Sequence, residues 1–165
     1  ISTYRPPGRL MVGSLQIGNS GGAGITPVWP SEGLDISVDA HNISHDYNGN
    51  KSGTPKANRE KLETWYTKQF AYLLDRMKAT EEGDGTTLLD NTLVLWCKAF
   101  ARDHNDDPMF YMLAGGASGA LQTNRYWSFA GRPHNDLLTS VCQLSGLDDQ
   151  LFGDPDFCTG ALKVS

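Results

Sequence analysis

The sequence predicts an α/β protein in which helices flank a parallel or mixed sheet. One long segment has the three- and four-residue apolar spacing of an amphipathic helix. Two later runs, residues 93–96 and 110–114, are nearly all apolar, which is typical of strands covered on both faces. A second helical pattern follows them. This order indicates α/β architecture, and the length fits either a single domain over residues 1–165 or part of a larger domain.

The long amphipathic segment is predicted to be a helix from Thr54 to about Ala79. Thr54 supplies a capping hydroxyl, and Pro55 follows at the first helical position, where its missing N–H costs nothing. Apolar residues then recur along one face of the helix. Four members of this stripe are expected to be buried: Trp65, Phe70, Leu73 and Met77.

Shorter patterns define the remaining elements. Residues 10–18 have the apolar content and the glycines of a short buried strand. Asn135 or Asp136 is expected to cap a last helix that Gly146 closes. Residues 35–53 are crowded with His, Asp and Asn and are expected to form a polar loop. Loops carry chemistry more often than regular elements do.

Composition and charge argue against two classes of partner. Fourteen Lys and Arg against nineteen Asp and Glu give a net charge of −5 at pH 7. This is the wrong sign for a protein that must neutralise phosphate backbones, so no nucleic-acid partner is expected. The longest apolar runs fall far short of the ~18–20 residues that cross a bilayer, so no transmembrane segment is predicted. Because the chain starts at Ile1 rather than Met, we expect a processed or partial chain.

Three cysteines allow one internal disulfide at most, which argues against a disulfide-stapled scaffold. Cys97 belongs to a predicted buried strand. Cys142 and Cys158 are therefore the expected pair.

Histidine and aspartate cluster in two polar segments, residues 39–46 and 102–107. These residue types supply the nitrogen and oxygen ligands that Zn²⁺ and similar cations take. A strand end that delivers Asp103 and His104 beside a loop that delivers Asp39 and His41 would form a two-part metal site. The alternative from spacing alone is that these are ordinary loop residues whose side chains cap turns.

Ser20 lies in the sequence Gly-Asn-Ser-Gly-Gly at residues 18–22, which matches the Gly-x-Ser-x-Gly pattern of a serine-hydrolase elbow. In this interpretation Ser20 is the nucleophile and His41, His45 or His134 is the base. The pattern requires a helix directly after the serine. The glycines that follow Ser20, and then Pro27 and Pro30, disfavour a helix there.

Three blocks of sequence together resemble one known family. The blocks are Gly18-Asn19 followed by His41-x-x-Ser44-His45, the run Leu-Leu-Asp-Asn-Thr-Leu-Val-Leu-Trp at residues 88–96, and Leu-Ala-Gly-Gly at residues 113–116. From about residue 10 to residue 162 the chain resembles the C-terminal part of bacterial domain-of-unknown-function family 1552. That family is similar to the alkaline phosphatase and sulfatase superfamily, whose α/β sandwiches hold metal ions at the ends of a central sheet.

The resemblance implies an alkaline-phosphatase-like fold, of which this chain is expected to be only a part of the full sandwich. It implies a divalent metal, either zinc or calcium, magnesium or manganese, bound by Asp39, His41, Asp103 and His104. His41 and His104 are then expected to meet at one edge of the sheet. Family members are commonly exported, which implies a periplasmic or secreted protein. The remaining part of its own chain, or an oligomer, is an expected partner.

The chain also departs from the family pattern. Ala99 stands where the family usually has Glu, and Asp46 replaces a second His that commonly follows His45. Ser20 stands where the family tends to have Ala, which weakens the elbow interpretation. These departures leave an incomplete metal set as an open alternative.

The leading functional hypothesis is a metal-dependent hydrolase of phosphate or sulfate esters, acting on a small-molecule or ester substrate. Its metal would acidify a bound water and polarise the ester oxygen, while His45 or Asp46 would orient the ligands through hydrogen bonds. One alternative is a non-catalytic extracytoplasmic binding or structural protein on the same scaffold. A second alternative is a serine esterase that uses Ser20.

Overall fold

A computed structural model of the chain describes residues 12–16, 26–45, 55–98 and 108–164. Their Cα positions divide into two compact units. The first unit contains the described residues of Val12–Leu73 and Lys98–Phe110, and the second contains those of Leu74–Cys97 and Tyr111–Ser165.

The first unit opens with a small hairpin. Strands β1 (Val28–Trp29) and β2 (Leu34–Asp35) pair antiparallel, with Trp29 opposite Leu34. A single 3-10 turn at Pro30–Glu32 connects them and ends at Gly33, whose φ of +74° favours glycine. Two helices follow, α1 (Ala40–His45) and α2 (Pro55–Lys78), of which the last turn, residues 74–78, is assigned to the second unit.

A compact apolar core joins the hairpin to both helices. Its four buried members are Leu34, Ile36, Ile43 and Leu62. The rings of Trp29 and Trp65 pack against this core with their centroids 4.9 Å apart. The hairpin and α1 are each too short to be stable alone, so their packing against α2 through this core stabilises them.

Helix α2 confirms the predicted long helix, but the predicted burial of its stripe is wrong. Leu73 is 43 % exposed, and Trp65, Phe70 and Met77 are half-buried. Leu62, nearer the start of the helix, is 3 % exposed because the hairpin and α1 pack there. Periodicity marks the apolar face of a helix, whereas burial requires a partner along its whole length.

The second unit contains β3 (Val94–Trp96) and β4 (Met112–Ala114), which pair antiparallel with Leu95 opposite Leu113. The glycine-rich turn after β4 packs its backbone against residues 89–92. Gly116 donates to the Leu89 carbonyl at 3.0 Å, and Ser118 donates to the Asp90 carbonyl at 2.9 Å. The backbone amides of Gly116 and Ser118 therefore hold this turn against residues 89–92.

Helix α3 (His134–Leu144) closes the second unit, and the C-terminal segment 158–164 is hydrogen-bonded to it. The predicted capping residue Asp136 instead lies within the first turn of the helix, fully buried. The predicted disulfide is wrong. Cys97, Cys142 and Cys158 are all free, and the Cys158 sulfur lies 3.3 Å from the Thr139 hydroxyl.

The described residues form a mixed α/β protein with three α-helices and two short antiparallel sheets. The order helix, strand, strand, helix is confirmed. Both pairs of described strands are antiparallel, so the expected parallel pairing is not found among them.

Residues 12–16 form no strand, and Val12 and Leu15 are 85 % and 81 % exposed, so the predicted buried strand is wrong for its described part. Within the described segments, no helix has the length and apolarity to cross a membrane.

Candidate functional site

The site centres on α1, a six-residue helix that begins directly after Asp39. One carboxylate oxygen of Asp39 accepts the backbone N–H of Asn42 at 3.0 Å, and the other accepts its side-chain amide at 2.5 Å. The bond from the Asn42 backbone, ahead of the opposing effect of burial, lowers the pKa of the Asp39 carboxyl. Asp39 therefore acts as the N-cap of α1.

Ile43 anchors α1 to the protein. Its side chain is fully buried in the core with Leu34, Ile36 and Leu62. A helix of this length has little intrinsic stability in water. The cap at one end and the buried isoleucine in the middle are therefore what keep residues 40–45 helical.

His41 and His45 lie one turn apart on this helix, with His41 half-buried and His45 exposed. Their Nε2 atoms are 3.1 Å apart, and the ring centroids are 4.6 Å apart at an interplanar angle of 67°. In a hydrogen-bonded neutral pair, one ring must donate Nε2–H while the other accepts it, which requires different tautomers. The helix thus aims two ligand-type nitrogens at one point.

This arrangement fits one edge of a metal coordination sphere. Two nitrogens bound to a tetrahedral Zn²⁺ at ~2.0–2.1 Å stand about 3.3–3.4 Å apart, and the observed separation is 3.1 Å. No cluster of three or more His, Cys, Asp and Glu suited to a metal is found within the part of the chain that the structure describes. Both oxygens of Asp39, the predicted oxygen ligand of this segment, are occupied by Asn42.

The structure places only some of the predicted site residues. Asp39, His41 and His45 lie on or directly before α1, and His134 is an exposed residue at the start of α3. Four others lie outside the described residues: Ser20, Asp46, Asp103 and His104. The predicted approach of His41 to His104 stays a prediction for the same reason.

Sequence reasoning missed the pairing of His45 with His41. Residues 35–53 were expected to be loop, whereas residues 40–45 are helical. Two signals for this helix are present in the sequence. One is Asp39 three residues before Asn42, a capping pattern, and the other is the four-residue spacing of the histidines.

A second polar cluster, in the second unit, is structural. Asp136 is fully buried, and its carboxylate accepts three bonds, from the Thr159 amide at 2.6 Å, the Thr159 hydroxyl at 2.7 Å and Arg132 Nε at 2.6 Å. Burial alone would raise the pKa of Asp136, but these bonds outweigh it and hold the pKa far below its ordinary value. Ser140 is likewise bonded to Leu162. The cluster fastens the C-terminal segment to α3.

Comparisons of the chain with protein-family models, with curated proteins and with solved structures find no match. The resemblance to family 1552 therefore stays a prediction.

Proposed function

We propose that this protein is a metal-dependent hydrolase of phosphate or sulfate esters, with its cation held beside α1. The observation that supports the proposal is the 3.1 Å separation of the His41 and His45 ring nitrogens. A bound divalent cation would supply Lewis-acid polarisation of an ester oxygen and an acidified water. An alkaline-phosphatase-like fold and a periplasmic or secreted location belong to the same proposal, through the resemblance.

The chain's own residues have distinct roles in this proposal. Imidazole nitrogens of α1 hold the cation, while Asp39 and Ile43 keep the helix that carries them in place. Asp103 and His104 are the proposed ligands from the second polar segment. The substrate is a small ester whose negative charge is drawn to the cation rather than to the protein, because the chain itself carries a net charge of −5.

The first test measures metal content and hydrolysis together. The protein is purified without chelators, its metals are quantified by mass spectrometry, and hydrolysis of p-nitrophenyl phosphate and p-nitrophenyl sulfate is followed before and after dialysis against EDTA. We expect stoichiometric metal, and activity that EDTA removes and added metal restores. His41→Ala should abolish this activity, and His134→Ala, on the exposed start of α3, should retain it. No stoichiometric metal and no hydrolysis would overturn the proposal.

One observation favours a second candidate, a cation-binding protein without hydrolytic activity. The Asp39 carboxylate already caps α1 through two hydrogen bonds from Asn42, which weakens it as the oxygen ligand expected from this segment. Stoichiometric metal with no hydrolysis of either ester would select this candidate.

A further inference from the structure

We propose that His45 is a direct metal ligand together with His41, and that the two rings chelate one late first-row transition ion in preference to Ca²⁺ or Mg²⁺. The inference rests on the cation site of the proposed function and names the ligands and the class of metal. It replaces Asp39 as the second ligand of this segment.

The helical spacing supports chelation by both rings. Residues four apart on a helix lie on one face, which is how pairs of histidines bind zinc from a single helix. In this structure His41 and His45 lie on the same face of α1, and their Nε2 atoms are 3.1 Å apart. In a hydrogen-bonded pair one proton lies between the two nitrogens. A cation can take that position once both Nε2 atoms are deprotonated.

The donor chemistry decides which cation fits. Imidazole suits Zn²⁺, Cu²⁺, Ni²⁺ and Co²⁺, whereas Ca²⁺ and Mg²⁺ take oxygen ligands. The nearest carboxylate in sequence on the described side, that of Asp39, already accepts two bonds from Asn42. The side chains that converge on one position in the described part of the segment are therefore the two imidazoles, which are nitrogen donors.

Chelation should also stabilise α1. A metal that bridges His41 and His45 closes one helical turn, and α1 spans six residues. A ligand that binds the folded state and not the unfolded one raises stability by mass action. Zinc is therefore expected to raise the unfolding temperature of the metal-free protein, and calcium and magnesium are expected to leave it unchanged.

The experiment uses the untagged, metal-free protein. Co²⁺ is titrated and followed by its d–d absorption, then displaced with Zn²⁺, Ca²⁺ or Mg²⁺. We expect Co²⁺ and Zn²⁺ to bind at one site, and millimolar Ca²⁺ and Mg²⁺ not to displace Co²⁺. His45→Gln should weaken Zn²⁺ binding at least about tenfold, since even groups that only orient a ligand change affinity 10–100-fold. His134→Gln is the matched control and should bind as the wild type does.

Each other outcome is decisive. Wild-type affinity in His45→Gln, or displacement of Co²⁺ by Ca²⁺ or Mg²⁺, overturns the inference even if ester hydrolysis is present. Metal binding that requires His45 without any hydrolysis supports the inference and counts against the proposed hydrolase. Far-UV circular dichroism checks the fold of His45→Gln. His45→Cys, which supplies a thiolate ligand in place of the imidazole, should recover Co²⁺ binding with a thiolate charge-transfer band, and failure to recover it in a folded variant counts against direct ligation.

Discussion

Replacing Asp136 with Asn is expected to destabilise the second unit by about 2–3 kcal/mol at neutral pH. The amide oxygen of the new side chain can keep the bond from the Thr159 amide, and the Thr159 hydroxyl can rotate to accept from the new NH₂ group. Arg132 Nε is only a donor and cannot accept from the new NH₂ group. The charge-assisted hydrogen bond of 2.6 Å from Arg132 Nε to the Asp136 carboxylate is therefore lost. Such a bond contributes ~1.5–3 kcal/mol. Losing one partner of a buried ion pair costs ~3–5 kcal/mol, but the Arg132 side chain is 39 % exposed and water rehydrates it.

The loss of stability caused by Asp136→Asn should decrease as the pH falls. The pKa of Asp136 is lowered in the folded protein. Its contribution is therefore fully present above the unfolded value of about 3.9 and is lost as the pH falls below it. The difference in unfolding free energy between wild type and Asp136→Asn should shrink by up to about 1.4 kcal/mol per pH unit below pH ~4.

Urea unfolding, followed by tryptophan fluorescence and circular dichroism at pH 7 and at several values down to pH 3, measures both effects. Asp148→Asn is a matched control, since Asp148 is exposed, and it should change stability by less than about 0.5 kcal/mol. A loss below ~0.5 kcal/mol in Asp136→Asn at pH 7, or a loss that stays constant down to pH 3, would refute the account of this cluster.

Three further substitutions, two of them paired with a control substitution, test other parts of the fold by the same unfolding measurement. Ile43→Ala removes a fully buried side chain and should cost ~2–5 kcal/mol, whereas Leu15→Ala, at an 81 % exposed position, should stay within ~0.5 kcal/mol. Gly116→Ala places a Cβ against the Asp90 carbonyl oxygen and should cost more than Gly119→Ala, where space is open and only the φ of +92° opposes alanine by about 1 kcal/mol. Asp39→Ala removes the cap of α1 and should cost ~0.5–2 kcal/mol, a loss that disappears as the pH falls, because the pKa of Asp39 is lowered in the folded state. Equal costs within either matched pair, or a pH-independent loss for Asp39→Ala, would contradict the structural explanation of that site.

Elements with strong local signals could be predicted from the sequence. The sequence pair Thr54-Pro55 and the apolar period predict a helix from Thr54 to about Ala79, and the structure has α2 at Pro55–Lys78. β3 and β4 likewise follow from short apolar runs. These signals are local, since they depend on residues within one or two turns.

The burial of side chains and the pairing of strands could not be predicted in the same way, because they depend on contacts with residues far away in the sequence. Leu62 and Leu73 belong to one apolar pattern, yet one is 3 % and the other 43 % exposed. The direction in which β3 and β4 pair depends on the connection between them, and an apolar run in the sequence does not indicate that direction. Cys158 was expected to pair with Cys142, but it lies beside Thr139 because the C-terminal segment is fastened through Asp136.

The candidate site shows why a short polar helix escapes sequence reasoning and why its chemistry depends on the fold. Residues 39–46 have the composition of a loop, and in an extended chain four residues can separate His41 from His45 by ~13–14 Å. In the structure their Nε2 atoms are 3.1 Å apart, because Asp39 caps α1 and because Ile43, which lies between the two histidines in sequence, packs into the core. Whatever weakens the cap or the core must therefore also separate the ligands. Metal affinity and the stability of α1 are then two readouts of one equilibrium, so Ile43→Ala, which touches neither ring nitrogen, should weaken Zn²⁺ binding along with stability.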